Sequence, residues 1–147
     1  GVRGTPGEIC GSFSSMGTIA GTVAKNCDSG IFGSLAADAG IEGKLYPVGL
    51  IGQVTTGDAS ILSTVDDEVR SYNIKIVRTM PFGAAAKGLM IKITDERLLE
   101  KTGGIVQGMS GSPIIQNGKI VGAVTHVLVN DPTSGYGIYI ERMLAAA

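Results

Sequence analysis

One serine in this 147-residue chain stands in a setting that suits nucleophilic chemistry. Ser110 lies within QGMSGSP, residues 107–113, with one glycine two positions before it and another directly after it. Gly108 would let the backbone turn sharply, and Gly111 removes a side chain from behind the hydroxyl. Such a turn exposes the serine Oγ and can aim the amides of Gly108 and Ser110 at one point, forming an oxyanion hole. The pattern predicts a nucleophile, and the alternative is a Gly/Ser turn that only precedes a hairpin.

The residues that follow Ser110 predict a β-hairpin rather than a helix. Asn117-Gly118 separates the apolar runs 113–116 and 119–124, and a type I′ turn needs positive φ at both of its central positions. The strand-to-helix turn of α/β-hydrolases requires a helix after the serine, and none is predicted here. A serine at the start of a strand pair is instead typical of chymotrypsin-like barrels.

The rest of the chain predicts an all-β fold in a single domain. Short runs of Val, Ile and Thr alternate with glycines, of which the chain has 23. Residues 1–16 and 130–137 are predicted to be loops. In the first half of the chain we predict strands over residues 17–24, within 26–35, and over 44–54, where Pro47 would lie at an edge or bulge. Residues 59–65 and 70–80 are predicted to form a hairpin, and residues 88–94 a further strand. The last two predicted strands flank Asn-Gly, and the second of them continues to residue 129.

Residues 94–104 carry the one clear helix signal, for a helix of one to two turns. Asp95 can cap its N-terminus, Leu98 and Leu99 would face the core, and the glycine pair at 103–104 would end it. The predicted architecture is therefore a chymotrypsin-like double β-barrel, incomplete in its N-terminal half, with a single short helix near 95–102.

The composition excludes several classes of function. The net charge is −1, with acidic and basic residues interspersed, so no basic stripe points to nucleic acid and no polybasic run points to an anionic membrane surface. No apolar run reaches the roughly 18–20 residues that span a bilayer. One histidine and scattered acids supply no clustered set of ligands, so we expect no metal and no cofactor.

The two cysteines leave two readings open. Cys10 and Cys27 are 17 positions apart, without a CxxC motif or a second pair that would suggest a zinc site. They either form a disulfide or remain two small, mostly buried thiols, since sequence spacing does not determine the geometry that a disulfide requires.

Residues 92–144, KITDERLLEKTGGIVQGMSGSPIIQNGKIVGAVTHVLVNDPTSGYGIYIERML, closely resemble the SpoIVB family of sporulation serine peptidases, as do GIFG at 30–33 and GVR at 1–3. The resemblance implies a chymotrypsin-like peptidase domain of a secreted, membrane-tethered signalling enzyme of endospore-forming bacteria. Such enzymes act between mother cell and forespore, where a membrane-associated regulatory protein would be the substrate. Family members also carry a PDZ module, and we expect that module and the membrane anchor to be absent from these residues.

Residue by residue, the resemblance assigns Ser110 as the nucleophile and Asp95 to the catalytic set. The second assignment competes with helix capping, because Asp95 precedes the serine by only 15 residues. In chymotrypsin-like enzymes the triad aspartate lies far ahead of the serine, in the first barrel. Both roles for Asp95 stay open at this point.

The resemblance also indicates that the catalytic histidine is missing. The family places it in a GALGH-like stretch between GVR and PGE, whereas here Arg3 is followed directly by Gly4-Thr5-Pro6-Gly7-Glu8. We therefore interpret residues 1–55 as the remnant of the N-terminal barrel and residues 56–147 as the C-terminal barrel with the nucleophile. A serine hydroxyl without a base is a poor nucleophile, so the chain as written is predicted to be inactive or nearly so.

The only histidine in the sequence, His126, lies 16 residues after Ser110 on the strand that would line the substrate cleft. Thr125 and His126 are predicted to bind substrate, with a preference for polar P1 residues. His126 could instead be a buried structural residue, or the general base. A non-catalytic peptide-binding β-domain that retains the serine turn is the alternative function, and it would bind peptides by strand addition.

Overall fold

A closed antiparallel barrel of six strands forms the body of the protein. The computed structural model describes residues 21–37, 43–65 and 68–147, and within these residues a separate hairpin precedes the barrel. The α-helices and strands of this part of the chain are β1 (Gly21–Cys27), β2 (Gly30–Leu35), β3 (Gly57–Thr64), β4 (Val69–Thr79), β5 (Leu89–Ile93), α1 (Glu96–Thr102), β6 (Pro113–Gln116), β7 (Lys119–Leu128), β8 (Asp131–Tyr139) and α2 (Ile140–Ala146). The predicted all-β class is confirmed, whereas α2 is a helix that the sequence does not predict.

The barrel encloses the apolar core. Its strands follow the order β3-β4-β5-β8-β7-β6, and β6 pairs with β3 to close it. In β4, Tyr72, Ile74 and Ile76 point inward and are buried, whereas Asn73 and Lys75 are exposed, as the alternation of side chains along a strand requires. Each large side chain buried in this way contributes about 1.5–3 kcal/mol. The predicted pairing of β3 with β4 is confirmed.

Two local predictions on either side of Ser110 are confirmed. Asn117 and Gly118 connect β6 to β7 with φ values of 51° and 73°, the positive values that an Asn-Gly hairpin turn requires. Helix α1 begins after Asp95, whose Oδ1 accepts a hydrogen bond from the Arg97 amide at 3.1 Å. It ends at Gly103, which has a left-handed φ of 74°.

The strand predicted over residues 44–54 is wrong. Two hydrogen bonds to β7 take its place: the Gly49 amide donates to the Ile120 carbonyl at 2.8 Å, and the Ile120 amide donates to the Pro47 carbonyl at 2.9 Å. A 3-10 helix, Ile51–Gln53, follows at once and turns the chain toward β3. The apolar residues here belong to a segment that crosses the outside of the barrel and pairs with it at one point.

The loop predicted over residues 130–137 is also wrong, because this segment forms most of β8, which lies between β5 and β7. Its glycines serve close packing rather than a turn. A Cβ at Gly135 would lie 2.4 Å from the His126 carbonyl oxygen and 2.6 Å from Ile105 Cδ1. A glycine-rich, polar sequence is therefore compatible with a central strand where neighbouring groups approach the backbone.

The β1–β2 hairpin lies outside the barrel, against α2. The Lys25 ammonium donates to the Ala146 carbonyl, and a Cβ added at Gly30 would be 3.4 Å from Met143 Cε. Most of the hairpin is solvent-exposed. The predicted strand over 17–24 begins outside the described residues, and its described part continues to Cys27. The turn of this hairpin is the part that faces the barrel.

We expect Gly135→Ala to lower the free energy of unfolding by about 1–3 kcal/mol, because the added Cβ meets a backbone carbonyl that cannot move without disturbing the β7–β8 pairing. Gly52→Ala is the matched control, since a Cβ at Gly52 meets no atom within 4 Å. Urea unfolding of both variants measures the difference. Equal stabilities for the two variants would contradict the packing described for β8.

Candidate active site

Main-chain hydrogen bonds hold the loop that carries Ser110 to the barrel. The Gly111 amide donates to the Val124 carbonyl at 2.8 Å, and the Val124 amide donates to the Ser112 carbonyl at 2.9 Å. The side chain of Met109 is completely buried, and its carbonyl accepts a hydrogen bond from the Ser112 amide at 3.0 Å. The residues on either side of Ser110 are therefore fixed, and the position of the serine follows from the position of β7.

Two glycines give the loop its shape. Gly108 has a φ of 91° and Gly111 has a φ of 88°, a region that L-residues rarely adopt. Ser110 lies between these two left-handed positions and is exposed to solvent. The sharp turn predicted from the sequence is therefore present around this serine.

Among the described residues, the Ser110 hydroxyl makes one hydrogen bond, in which Oγ donates to the Thr125 carbonyl at 3.2 Å. A carbonyl oxygen holds the proton in place and does not act as a base at neutral pH. Within the described residues, no histidine or carboxylate accepts a hydrogen bond from this hydroxyl. The arrangement is that of a positioned serine whose proton acceptor is not among its described contacts.

The two amides predicted to form an oxyanion hole belong to this same turn. Across the described part of the chain, no main-chain hydrogen bond uses the amide of Gly108 or Ser110 as donor. In serine peptidases, main-chain amides without another acceptor, close to the nucleophile, stabilise the tetrahedral oxyanion. Their assignment to an oxyanion hole remains a prediction that this geometry permits.

Ser110 opens into a cleft of about 450 Å³ between the barrel and the turn of the β1–β2 hairpin. The barrel strands, the segments that connect them and α2 contribute Ala86, Ser110, Gly111, Ala123, Val124, Thr125, His126, Ile138 and Met143. The hairpin contributes Asn26, Cys27, Asp28, Ser29, Gly30 and Ile31. The sequence predicts Ser110, Thr125 and His126 of this lining, but none of the residues on the hairpin side. No local pattern in residues 26–31 indicates that a hairpin turn distant in sequence lies opposite the serine.

Thr125 and His126, both predicted to bind substrate, line this cleft. The Thr125 hydroxyl donates to the Ala86 carbonyl at 2.6 Å and so ties β7 to the 3-10 helix Ala85–Lys87. The His126 side chain is exposed, which argues against the alternative of a buried structural histidine. Its binding role remains a prediction.

Asp95 lies away from the cleft, at the opposite end of β5 from Ala86. Its carboxylate accepts hydrogen bonds from the Asn73 amide at 3.0 Å, from the Arg97 amide, and from Arg97 Nε and Nη2 at 2.9 and 2.8 Å. These hydrogen bonds from Arg97, joined by the Asn73 amide and the positive charge of the guanidinium, lower the pKa of Asp95 to about 2 although burial opposes the shift. Asp95 therefore caps α1, and it does not lie near Ser110.

Cys27 lines the cleft as an exposed, free thiol, in contrast to the predicted alternative of a buried one. Cys10 lies outside the described residues. Among residues 21–37, 43–65 and 68–147, no three His, Cys, Asp or Glu side chains are grouped so that they could hold a metal ion. No helix in this part of the chain is both long and apolar enough to cross a membrane.

Comparison with known proteins connects the chain to peptidases. The family model described as SpoIVB peptidase S55 matches residues 1–144. The active form of the Rv3671c protease from M. tuberculosis has a TM-score of 0.58 and 13% identity, over 86% of this chain and 56% of that chain. The inactive form of the Rv3671c protease has a TM-score of 0.55 and 16% identity, over 85% of this chain and 64% of that chain. No curated protein matches.

These structural similarities identify the fold of the chain. The chain spans less than two thirds of the solved protease chains that it resembles. Together with the closed six-stranded barrel, the likeness shows the predicted all-β, chymotrypsin-like fold class. The described residues close one barrel, and the β1–β2 hairpin stands outside it.

We expect Asp95→Asn to destabilise the protein. Asparagine can still cap α1, but the charge paired with Arg97 is lost, so the free energy of unfolding at pH 7 should fall by on the order of 2 kcal/mol. Glu100→Gln, an exposed acid on the same helix, is the control. Equal stabilities for Asp95→Asn and Glu100→Gln would contradict the role of the Asp95–Arg97 pair in holding α1.

The pH dependence of stability provides a second test of the Asp95–Arg97 pair. Because the pKa of Asp95 is about 2 in the folded state and 3.8 in the reference state, its contribution is fully present above about pH 4 and is lost as the pH falls toward 2. Urea unfolding at pH 5, 3 and 2 should show this loss in the wild-type chain. The same decrease in Asp95→Asn would show that other carboxylates cause it.

Proposed function

Because the chain belongs to the SpoIVB peptidase S55 family, we propose that it is the nucleophile-bearing part of a serine endopeptidase in which Ser110 attacks the substrate. One observation carries the assignment of serine type. The Ser110 hydroxyl is exposed in a cleft of about 450 Å³, on a turn held between two glycines with positive φ. Because the family consists of peptidases and the Ser110 hydroxyl is accessible in the cleft, we favour acyl transfer over other reactions of a hydroxyl group.

The proposed reaction uses the described groups as follows. Ser110 Oγ bonds to the carbonyl carbon of the scissile peptide while its proton passes to a general base. The Gly108 and Ser110 amides stabilise the oxyanion that forms. The base returns the proton to the leaving amine as the C–N bond breaks, and water then hydrolyses the acyl-enzyme by the same route in reverse.

The general base of this proposal is not His126. This side chain lines the cleft, but no hydrogen bond joins it to Ser110, whose proton is held by the Thr125 carbonyl. His126 is the only histidine of the 147 residues. We therefore propose that these residues alone hydrolyse peptides little or not at all, since loss of a triad member lowers the rate by several orders of magnitude.

The biological setting is proposed from the family alone. The match to a SpoIVB peptidase supports a role in sporulation signalling, with a membrane-associated regulatory protein as substrate. The corresponding location is outside the cytoplasm, in the space between mother cell and forespore. Neither nucleic acid nor a metal ion is part of this proposal.

A non-catalytic peptide-binding domain is the second candidate. The observation that favours it is the hydrogen bond from Ser110 to the Thr125 carbonyl, which a serine without a base would keep. In that case the cleft serves recognition, and the serine turn only shapes its wall. The two candidates differ in whether Ser110 can be activated.

We expect imidazole, a small base that the cleft has room for, to accelerate fluorophosphonate labelling of Ser110 by about tenfold or more at constant pH. Intact mass spectrometry and peptide mapping would follow the adduct. Ser110→Ala should abolish labelling, whereas Ser29→Ala, which removes another hydroxyl from the same cleft, should leave it unchanged. Labelling that stays at background with and without imidazole would favour the peptide-binding candidate.

A further inference from the structure

One edge of β7 is available for an added strand next to Ser110. Residues Lys119–Ala123 of β7 pair with β6, and Val124 bonds to the serine loop. Beyond Val124, the other edge of β7 pairs with β8, and the described residues provide no strand on the β6 side of Thr125–Val127. Because every strand pair of the barrel is antiparallel, an added substrate strand would continue the same pattern.

The register places each substrate residue relative to β7. Ser110 Oγ lies 3.2 Å from the Thr125 carbonyl oxygen, so the residue whose carbonyl is attacked, P1, lies opposite Thr125. In an antiparallel pair the preceding residue, P2, then lies opposite His126. Directly opposed residues project from the same face of a sheet, so the P2 side chain shares the face of His126.

That face carries a row of directly opposed residues across four strands. Arg78 of β4 pairs with Met90 of β5, Met90 pairs with Tyr136 of β8, and Tyr136 pairs with His126 of β7. Arg78 and His126 are exposed, and Met90 and Tyr136 are half-buried, so the row faces outward from the barrel. Register shifts in β4 before Arg78 and in β7 before His126 turn these two side chains away from the core, where Ile76 and Val124 are buried. The P2 side chain would extend this row by one position.

A lysine stands over the row beside the cleft. Lys87 Nζ lies 5.3 Å from the centroid of the Tyr136 ring, within the range of a cation–π contact. Lys87 is exposed and follows Ala86, whose carbonyl accepts the Thr125 hydroxyl at 2.6 Å. The residue before the lysine is therefore hydrogen-bonded to Thr125, which lies opposite P1.

Among the described residues, the ion pairs are Arg70–Glu68 and Arg97–Asp95, and neither of them includes Lys87. In the row itself Arg78 and His126 add further basic groups, and the row contains no acid. Asp131, at the start of β8, accepts hydrogen bonds from Thr133 and Ser134. Of the described residues that line the cleft, Asp28 is the one carboxylate, and it belongs to the opposite, hairpin wall.

From this arrangement we infer that Lys87, with Tyr136 and His126, forms a subsite that selects an acidic residue, best a glutamate, at P2 of the substrate. The inference rests on the proposed function of the cleft as a peptide site. Adjacent strands are about 4.8 Å apart, so the P2 backbone lies about 10 Å from that of Tyr136. A glutamate and a lysine side chain together span this gap.

The test compares two peptides by NMR, with a readout that needs no catalysis. The protein is the 15N-labelled Ser110→Ala chain, and the probes are acetyl-Val-Val-Glu-Ala-amide and acetyl-Val-Val-Gln-Ala-amide, in which glutamate or glutamine occupies P2. An exposed ion pair is worth about 0.2–1 kcal/mol, so we expect a Kd about 1.5- to 5-fold lower for the glutamate peptide. Added salt should reduce the difference.

Two lysine variants assign the effect. Lys87→Gln should make the two Kd values equal, and Lys87→Arg should retain the preference. Lys44→Gln is the matched control, since Lys44 also stands over a tyrosine ring, with Nζ 5.0 Å from the Tyr46 centroid, outside the residues that line the cleft. Equal Kd values for the two peptides in the Ser110→Ala chain would overturn the subsite and leave the proposed function standing. No shift of the Thr125–Val127 amides with either peptide would overturn both.

Discussion

A reciprocal pair of main-chain hydrogen bonds between the serine loop and β7 determines where the candidate nucleophile stands. The Gly111 amide donates to the Val124 carbonyl, and the Val124 amide donates to the Ser112 carbonyl, at 2.8 and 2.9 Å. The loop thus continues the hydrogen-bond pattern of the β6–β7 pair by one residue pair, and this pairing fixes the position of Ser110 relative to the barrel. Because Thr125 follows Val124, the same strand positions the serine hydroxyl, the free edge and the side chains that line the cleft.

The sequence predicts those parts of the fold whose cause is local. The Asn117-Gly118 turn and the capped helix after Asp95 each depend on a few neighbouring residues, and both are present. Strand β8 is different, because the reason for Gly135 is the approach of the His126 carbonyl from another strand. A glycine required by close packing cannot be told from a glycine in a loop by composition alone.

The candidate site follows the same division between local and tertiary causes. The turn around Ser110 is visible in the sequence, since its two glycines are adjacent to the serine. Asp95 has a local role as a helix cap, and the distance that separates it from the cleft is a consequence of the direction of β5. The hairpin turn lies opposite Ser110 across the cleft, and Lys87 contacts the Tyr136 ring. In both cases the residues are about 50 or more positions apart in the sequence, so no short pattern predicts the contact.

Closure of the barrel has a further consequence, for self-association. A sheet edge is a template on which other chains can add strands and aggregate, and a closed barrel removes its edges by pairing β3 with β6. In the described barrel the interruption beside Ser110 is only as long as Thr125–Val127, where β6 has ended and β7 continues. A gap of three residues offers main-chain groups to a short extended segment only. In the described residues the closed barrel thus limits the unpaired edge beside Ser110 to three residues, whereas the β1–β2 hairpin outside it pairs only with itself.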